Sequence, residues 1–340
     1  MRRSRRYLKA NSMVLKPALA RIAHGFERLI DRFRRAPTRN NPIIDCYGGY
    51  TAPGHIVVRG RILAKARLVS GQAVQSKFRN FLDFLQLFLT DELEGVEIEA
   101  LDDGSCTVTD EEGFFVLRVP NDQQPPAQLA IRAVGTDEIH HAPVFAARDA
   151  PYGVISDIDD TIIRTGAYSL LKNLWTSATG NVHEREVFDD AKALMRRFQK
   201  AGACFFYVSS SPWNLHGYLQ TVFRKAMLPL GPFFLRDLGI SDSQFITGTH
   251  GDHKSAAIMT ILGANPDLSF ILVGDTGQHD PHIYAKIVDD FPGRICRVIL
   301  RRPNTKSLSA STLADIDRMR SAGVVVAMDY DYRALMSEIT

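Results

Sequence analysis

The sequence predicts an α/β fold over residues 150–335, a mostly parallel sheet with minimal caps, preceded by a small β-sandwich-like region at 43–147 and a basic amphipathic helical arm at 1–39. Three observations predict it. From Tyr152 onward, short apolar runs alternate with segments of helical periodicity, the rhythm of a parallel sheet covered by helices. Between Ile43 and Ala147 the texture is instead short alternating runs separated by Asp- and Gly-rich turns. The charge divides just as sharply: residues 1–39 hold 12 Lys/Arg against Glu27 and Asp31, a balance of +10, while the other 301 residues carry 29 basic and 36 acidic side chains, a balance of −7.

In the arm, Leu15, Leu19, Ile22, Phe26, Leu29 and Phe33 recur every three or four residues and share one helical face. Arg21, Arg28, Arg32 and Arg35 take much of the rest. Such a helix suits an anionic membrane surface, with the arginines at the headgroups, and its apolar stripe equally suits docking on the protein's own body. Nucleic acid is the weaker fit. The arginines at the start lead into no apolar core of the kind a secretion signal needs.

Pro37 to Pro42 reads as a linker. Ile56–Leu63 is the first strand, Val96–Leu101 the next, and Asp102-Asp103-Gly104 a turn. Cys106–Val108, the turn Asp110–Gly113 and Phe114–Pro120 complete a charged hairpin. Leu82, Leu85, Leu87, Phe88 and Leu89 form a helical or irregular insertion. The region offers no convergent polar chemistry, so packing, docking or substrate presentation is its expected role.

Val154–Ser156 opens the α/β region. A helix over Glu186–Lys200, stopped at Ala201-Gly202, leads to the strand Cys204–Val208. Helices are expected at Leu215–Lys225 and Lys254–Leu262, and strands at Phe270–Val273, Ile295–Leu300 and Val324–Met328. The four cysteines, Cys46, Cys106, Cys204 and Cys296, stand singly, which excludes a Cys-x-x-Cys zinc site and suits a reducing, cytoplasmic compartment. No run approaches the apolar length of a membrane span.

Chemistry gathers where these strands end. Asp157, Asp159, Asp160 and Thr161 follow the first, and on an extended backbone Asp157 and Asp159 would share one side with Ile158 turned away. Facing carboxylates repel unless a cation or a proton separates them, and a hard divalent ion such as Mg2+ takes oxygen ligands. Ser209-Ser210-Ser211-Pro212-Trp213-Asn214 follows the second strand. His253-Lys254 stands at a helix start, and Gly274-Asp275 opens a loop that runs to Asp280-Pro281. Carboxylates, hydroxyls and one lysine are the parts of a phosphoryl-transfer site. No nucleotide-binding glycine loop is present. His250, His253, His279 and His282 occupy two loops, but the oxygen-rich set already suffices for a metal.

In order and composition these four segments resemble the haloacid-dehalogenase-like phosphatases, and within them the actin-patch phosphatidate phosphatase family. The resemblance covers about residues 150–305. It implies a haloacid-dehalogenase-like Rossmannoid sheet and a Mg2+-dependent hydrolysis of phosphatidic acid to diacylglycerol. It also implies roles: Asp157 as the nucleophile that becomes an aspartyl phosphate, Asp159 as the acid and base, and Ser209 and Lys254 as phosphate and charge partners. The metal would be held by Asp157, Asp159 through its carbonyl, Asp275 and Asp280. Thr161, Ser210, Trp213 and Asn214 would meet the substrate phosphate or line the entrance. By position alone, Arg164 and Lys172, which follow the first acidic loop, are candidates for a second phosphate contact. About 40 residues separate Thr161 from the second strand, and a similar length separates Ser209 from Lys254, too few for a large cap domain. An open site suits a substrate that stays at a membrane or belongs to a macromolecule. The rival readings are the same chemistry on a soluble sugar, nucleotide or protein ester, and a lipid- or protein-binding adaptor.

Overall fold

The computed structural model describes residues 42–64, 93–164, 187–236, 250–303 and 307–337, with side chains from 253 onward in the fourth segment. The expected arm helix at 1–39, the insertion at 82–89 and Lys172 lie outside the described residues.

Strands β1 (Ile43–Ala52), β2 (His55–Leu63), β3 (Glu97–Ala100), β4 (Cys106–Val108), β5 (Phe114–Pro120), β6 (Gln128–Ala133) and β7 (His140–Phe145) form one sheet in the order β4-β3-β6-β7-β1-β2-β5. Neighbours are antiparallel except β1 and β7. The expected sandwich of two stacked sheets is therefore corrected to a single, nearly closed, barrel-like sheet. Its two ends, β4 and β5, come together at the turn in which Asp110 N donates to Phe114 O. The physical reason is β1, which pairs with both β2 and β7 and bends between Cys46 and Gly49. Gly48 supplies the bend with φ +87°. Inward residues alternate, as in Phe115, Leu117 and Val119, and pack with Ile56, Val58, Ile62, Ile98 and Ile131.

The second sheet comprises β8 (Gly153–Ser156), β9 (Cys204–Pro212), β10 (Phe233–Arg236), β11 (Phe270–Asp275), β12 (Ile295–Arg301) and β13 (Val325–Asp329). It is parallel throughout, in the order β10-β9-β8-β11-β12-β13. Helices α1 (Asp189–Lys200), α2 (His216–Ala226) and the short α6 (Tyr332–Leu335) cover the face that presents Val154, Phe205, Tyr207, Ile271, Val273 and Ile299. Helices α3 (His250–Ala264), α4 (Asp280–Asp290) and α5 (Ala310–Ser321) cover the face of Ile155, Phe206, Val208, Phe270, Leu272 and Val298. Burial on both faces explains why these strands read as continuous apolar runs. The sequence reading did not include β10, α4, α5 or α6. From β8 the chain steps outward to β9 and β10, then returns to β11 on the other side of β8 and proceeds to β12 and β13. The order reverses between β8 and β11, and that switch point opens a crevice at the carboxyl ends of the strands.

The two sheets share their cores. Tyr47 of β1 belongs to one α/β cluster, and Tyr50 and Val57 belong to the other. Tyr47 stacks on Trp213 with ring centroids 3.9 Å apart and 11° between planes. The Asp45 carboxylate meets the buried His216 Nδ1 at 3.1 Å. No helix among the described residues is long and apolar enough to cross a membrane. Because Trp213 fills the seam, Trp213→Ala should cost about 3–5 kcal/mol, the range for removing a large buried aromatic side chain. Urea denaturation is expected to show one transition for both sheets, shifted to lower urea in the variant. Two separate transitions, with the α/β part unmoved, would contradict a shared core.

Candidate active site

The reversal of strand order brings the ends of β8 and β11 together. Asp157 immediately follows β8 and donates its backbone N–H to Val273 O at 2.8 Å. Beyond it the chain does not stay extended. Ile162 N and Ile163 N both donate to Ile158 O, and Asp160 adopts φ +56°. A tight turn anchored by the buried Ile158 follows, and the two carboxylates meet different partners.

Asp157 faces α3. Lys254 Nζ lies 2.9 Å from Asp157 Oδ1 and 2.6 Å from Asp280 Oδ1. Thr161 Oγ1 donates to Asp157 Oδ2 at 3.2 Å and is fully buried, so it holds this carboxylate. Asp280 is the first residue of α4 and is followed by Pro281, the usual place for a carboxylate and a proline at a helix start. Its other oxygen accepts from Asp275 N at 3.2 Å. Asp275 ends β11, and its Oδ1 accepts from Gly277 N at 2.5 Å and Gln278 N at 2.9 Å.

Asp159 is held by β9. Ser209 Oγ and Ser211 Oγ each donate to Asp159 Oδ2 at 2.7 Å. The local backbone explains how. Phe234 of β10 pairs with Val208, whereas Arg236 pairs with Pro212, so three residues of β9, Ser209–Ser211, oppose the single Leu235. A bulge of this kind re-aims side chains, here toward the crevice. Ser210 is half-buried on the bulge. The Asp159 carbonyl, expected to face a metal, accepts from Gln278 Nε2 at 3.1 Å.

Burial is the first cause of the electrostatics. It pushes Asp157 well above the ordinary carboxylate range, Lys254 pulls it back, and Asp280, Asp275 and Asp159 push it up again. Asp275 is raised to about 7, by burial and then by Asp280. Burial works against the charge on Lys254, but Asp157 and Asp280 outweigh it and raise its pKa, keeping it protonated.

The carboxylates of Asp157, Asp275 and Asp280 offer oxygens within 4.8 Å of one another, all buried. One lysine among three carboxylates leaves two negative charges uncompensated when all are ionised. Asp275 Oδ2 is buried and meets no hydrogen-bond donor. An all-oxygen set with an orphan carboxylate oxygen fits a hard divalent cation. The carboxylate of Asp159 lies outside this trio.

Several supporting residues escape a reading of the sequence. Ser211 is signalled only by its two-residue spacing from Ser209. Arg301, at the end of β12, has no local signal. It pairs with Asp190 at 2.9 Å, donates to Thr161 O at 3.2 Å and to Tyr330 O at 2.9 Å, and sits between the rings of Phe188 and Tyr332. It therefore braces the Asp157 turn from behind. Trp213 is buried against Tyr47 in the seam, not presented at an entrance. Asn214 is half-buried beside it. Arg164 leans its guanidinium over Phe188.

Proton and cation compete at Asp275. In the metal-free protein its raised pKa means that stability is present below the ordinary value of 3.8 and is lost as pH rises through about 7. Mg2+ is accordingly expected to raise Tm more at pH 8 than at pH 6 in differential scanning fluorimetry. Asp275→Asn should abolish that response while leaving the metal-free protein at least as stable as wild type at pH 8. A Mg2+ response that persists in the variant would contradict the assignment.

Comparison with known proteins places this geometry. Residues 152–302 match the family model of the APP1 phosphatidate phosphatase catalytic domain. The Saccharomyces cerevisiae protein named phosphatidate phosphatase APP1 is 30% identical over 200 residues, 57% of this chain and 34% of that protein. An uncharacterized Schizosaccharomyces pombe protein is 26% identical over 149 residues, 44% of this chain and 24% of its own length. The matched region thus spans about a third of the first relative and a quarter of the second. Among solved structures, a chain of the Pnkp1/Rnl/Hen1 complex aligns with 58% of this chain and 55% of its own, at 10% identity and a TM-score of 0.30, which is too slight to carry an argument. The segment that builds the crevice, residues 152–302, is homologous to the catalytic domain of the APP1 phosphatidate phosphatase family.

Proposed function

We propose that this chain is a Mg2+-dependent phosphatidate phosphatase that releases inorganic phosphate and diacylglycerol through an aspartyl phosphate on Asp157. The observation that carries the reading is the contrast between two neighbouring carboxylates. Asp157 is gripped by the Lys254 ammonium and a threonine hydroxyl, whereas Asp159 is held by two serine hydroxyls on another strand. Carboxylates in unlike surroundings can take unlike roles. The homology of residues 152–302 to a phosphatidate phosphatase catalytic domain supports the same reaction class.

In this reading Asp157 attacks phosphorus as the bond from phosphorus to the glycerol oxygen breaks. Asp159 gives its proton to that departing oxygen. Asp159, now a carboxylate, takes a proton from water as the water oxygen attacks phosphorus, which frees phosphate and restores Asp157. Lys254 offsets charge on Asp157 and the transferring group. Ser209 and Ser210 donate to phosphoryl oxygens, with Ser209 released from Asp159 to do so. Asp157, Asp275, Asp280 and the Asp159 carbonyl would hold Mg2+, which when bound neutralises charge on the phosphoryl oxygens. Residues 1–39, with their balance of +10, would keep the enzyme on an anionic, cytoplasm-facing membrane surface.

Phosphate release from phosphatidate in mixed micelles with Mg2+, beside a panel of soluble phosphomonoesters, tests the proposal. Preference for phosphatidate is expected, with a loss of about 10³-fold or more in Asp157→Asn, the scale seen when a nucleophile is removed. Deleting residues 1–39 should weaken turnover on anionic vesicles and spare soluble esters. Activity confined to soluble esters would remove the lipid substrate, and no turnover on any ester would overturn the enzyme reading.

A further inference from the structure

The seam between the two sheets contains a cation without a counter-ion. Among the described residues no carboxylate pairs with Arg59 of β2. Its guanidinium stacks on Phe234 at 3.8 Å from the ring centroid, with Tyr50 at 5.5 Å and Trp213 at 5.7 Å. One nitrogen donates to Phe233 O at 2.9 Å, while its Nε is buried and meets no acceptor. Burial pulls its pKa down, opposed only by the neighbouring Tyr50, Cys46 and Tyr47 and by no carboxylate. A guanidinium nonetheless stays charged. Aromatic faces offset only part of the cost of desolvating it, because they supply attraction but no acceptor for its N–H groups.

A second arginine lies alongside. Arg236 is two residues beyond Phe234 on β10, so their side chains leave the strand on the same side. Burial is the first cause that lowers the pKa of His253, and the charges of Arg236, Arg59 and Lys254 lower it further. The chain links this pair to the candidate active site. His253 precedes Lys254, and Arg236 pairs with Pro212, directly after the serine bulge.

We propose that Arg59 and Arg236 form a binding site for a phosphate group beside the candidate active site, with Arg59 delivered by the barrel-like sheet. The planar forks of two arginines match phosphate oxygens, and an arriving anion would supply the acceptor that Arg59 Nε lacks. This gives the barrel-like region a part in recognition that its own sequence does not announce. The inference extends the phosphatase reading by adding a second point of phosphate contact, but binding there does not require turnover.

The test is calorimetric titration of the full chain with inorganic phosphate in EDTA-treated, Mg2+-free buffer. The arginine variants, which leave the catalytic centre intact, assign any binding to the arginine site or to that centre. Wild type should bind phosphate, and Arg59→Gln and Arg236→Gln should each weaken it about tenfold or more, as expected for the loss of a charge-assisted contact. Arg59→Lys, which keeps the charge, should recover part of the affinity and guard against a folding artefact. A second arm measures sedimentation with phosphatidate and with phosphatidylcholine vesicles. Weakened phosphatidate binding in Arg59→Gln, competed by free phosphate, assigns the site to the lipid headgroup. Unchanged vesicle binding with lost titration assigns it to free phosphate. Absence of phosphate binding in wild type, or equal binding by a folded Arg59→Gln, overturns the proposal whether or not the protein hydrolyses esters.

Discussion

Lys254 bridges two aspartates in a site where lysine and aspartates alike are almost wholly removed from solvent. Removing one partner from a buried ion pair costs about 3–5 kcal/mol, because the remaining charge is left desolvated. With three carboxylates to one ammonium, the cluster is also over-supplied with negative charge. The rest of the crevice responds to that imbalance. Asp275 is tied down by backbone N–H groups, Asp280 sits on the amino terminus of a helix, and Asp157 takes a threonine hydroxyl. The remaining deficit suits a divalent cation, and a fold that maintains such a deficit holds a strong field at one small point.

Placement of the cluster follows from topology. A parallel sheet whose order reverses at β8 and β11 puts Asp157 and Asp275 side by side although 118 positions separate them in the sequence. Helix α3 brings Lys254 across the top, and the bulge in β9 carries Ser209 and Ser211 to Asp159. Arg301 ties the Asp157 turn to α1 through Asp190 and to the chain near α6 through Tyr330. The barrel-like sheet is a structural partner of this arrangement, since Tyr47 and Trp213 stack across the seam and Arg59 reaches Phe233 from 174 positions away.

What the sequence discloses, and what it hides, has a physical pattern. Strands buried on both faces are apolar runs, so β8, β9, β11 and β12 are legible, and the chemistry at their ends is legible with them. Asp280-Pro281 reads as the end of a loop, yet the same pair begins α4, because a carboxylate followed by proline suits either setting. The Gly48-Gly49 pair breaks the alternation of β1 and conceals the strand that turns a supposed sandwich into one curled sheet. Trp213 and Arg59 owe their positions to contacts across the seam, which no local periodicity encodes. Arg301 looks like the polar end of a strand and acquires its buried ion pair only from a distant helix.

The central claim is that this charge arrangement exists to make Asp157 a nucleophile. Rapid acid quench of the Mg2+-loaded protein with radiolabelled phosphatidate, followed by peptide mass spectrometry, tests it directly. The account predicts a transient phosphate on Asp157 that chases into free phosphate and is absent from Asp157→Asn. Steady phosphate release without any protein-bound label, or with label on another residue, would contradict it.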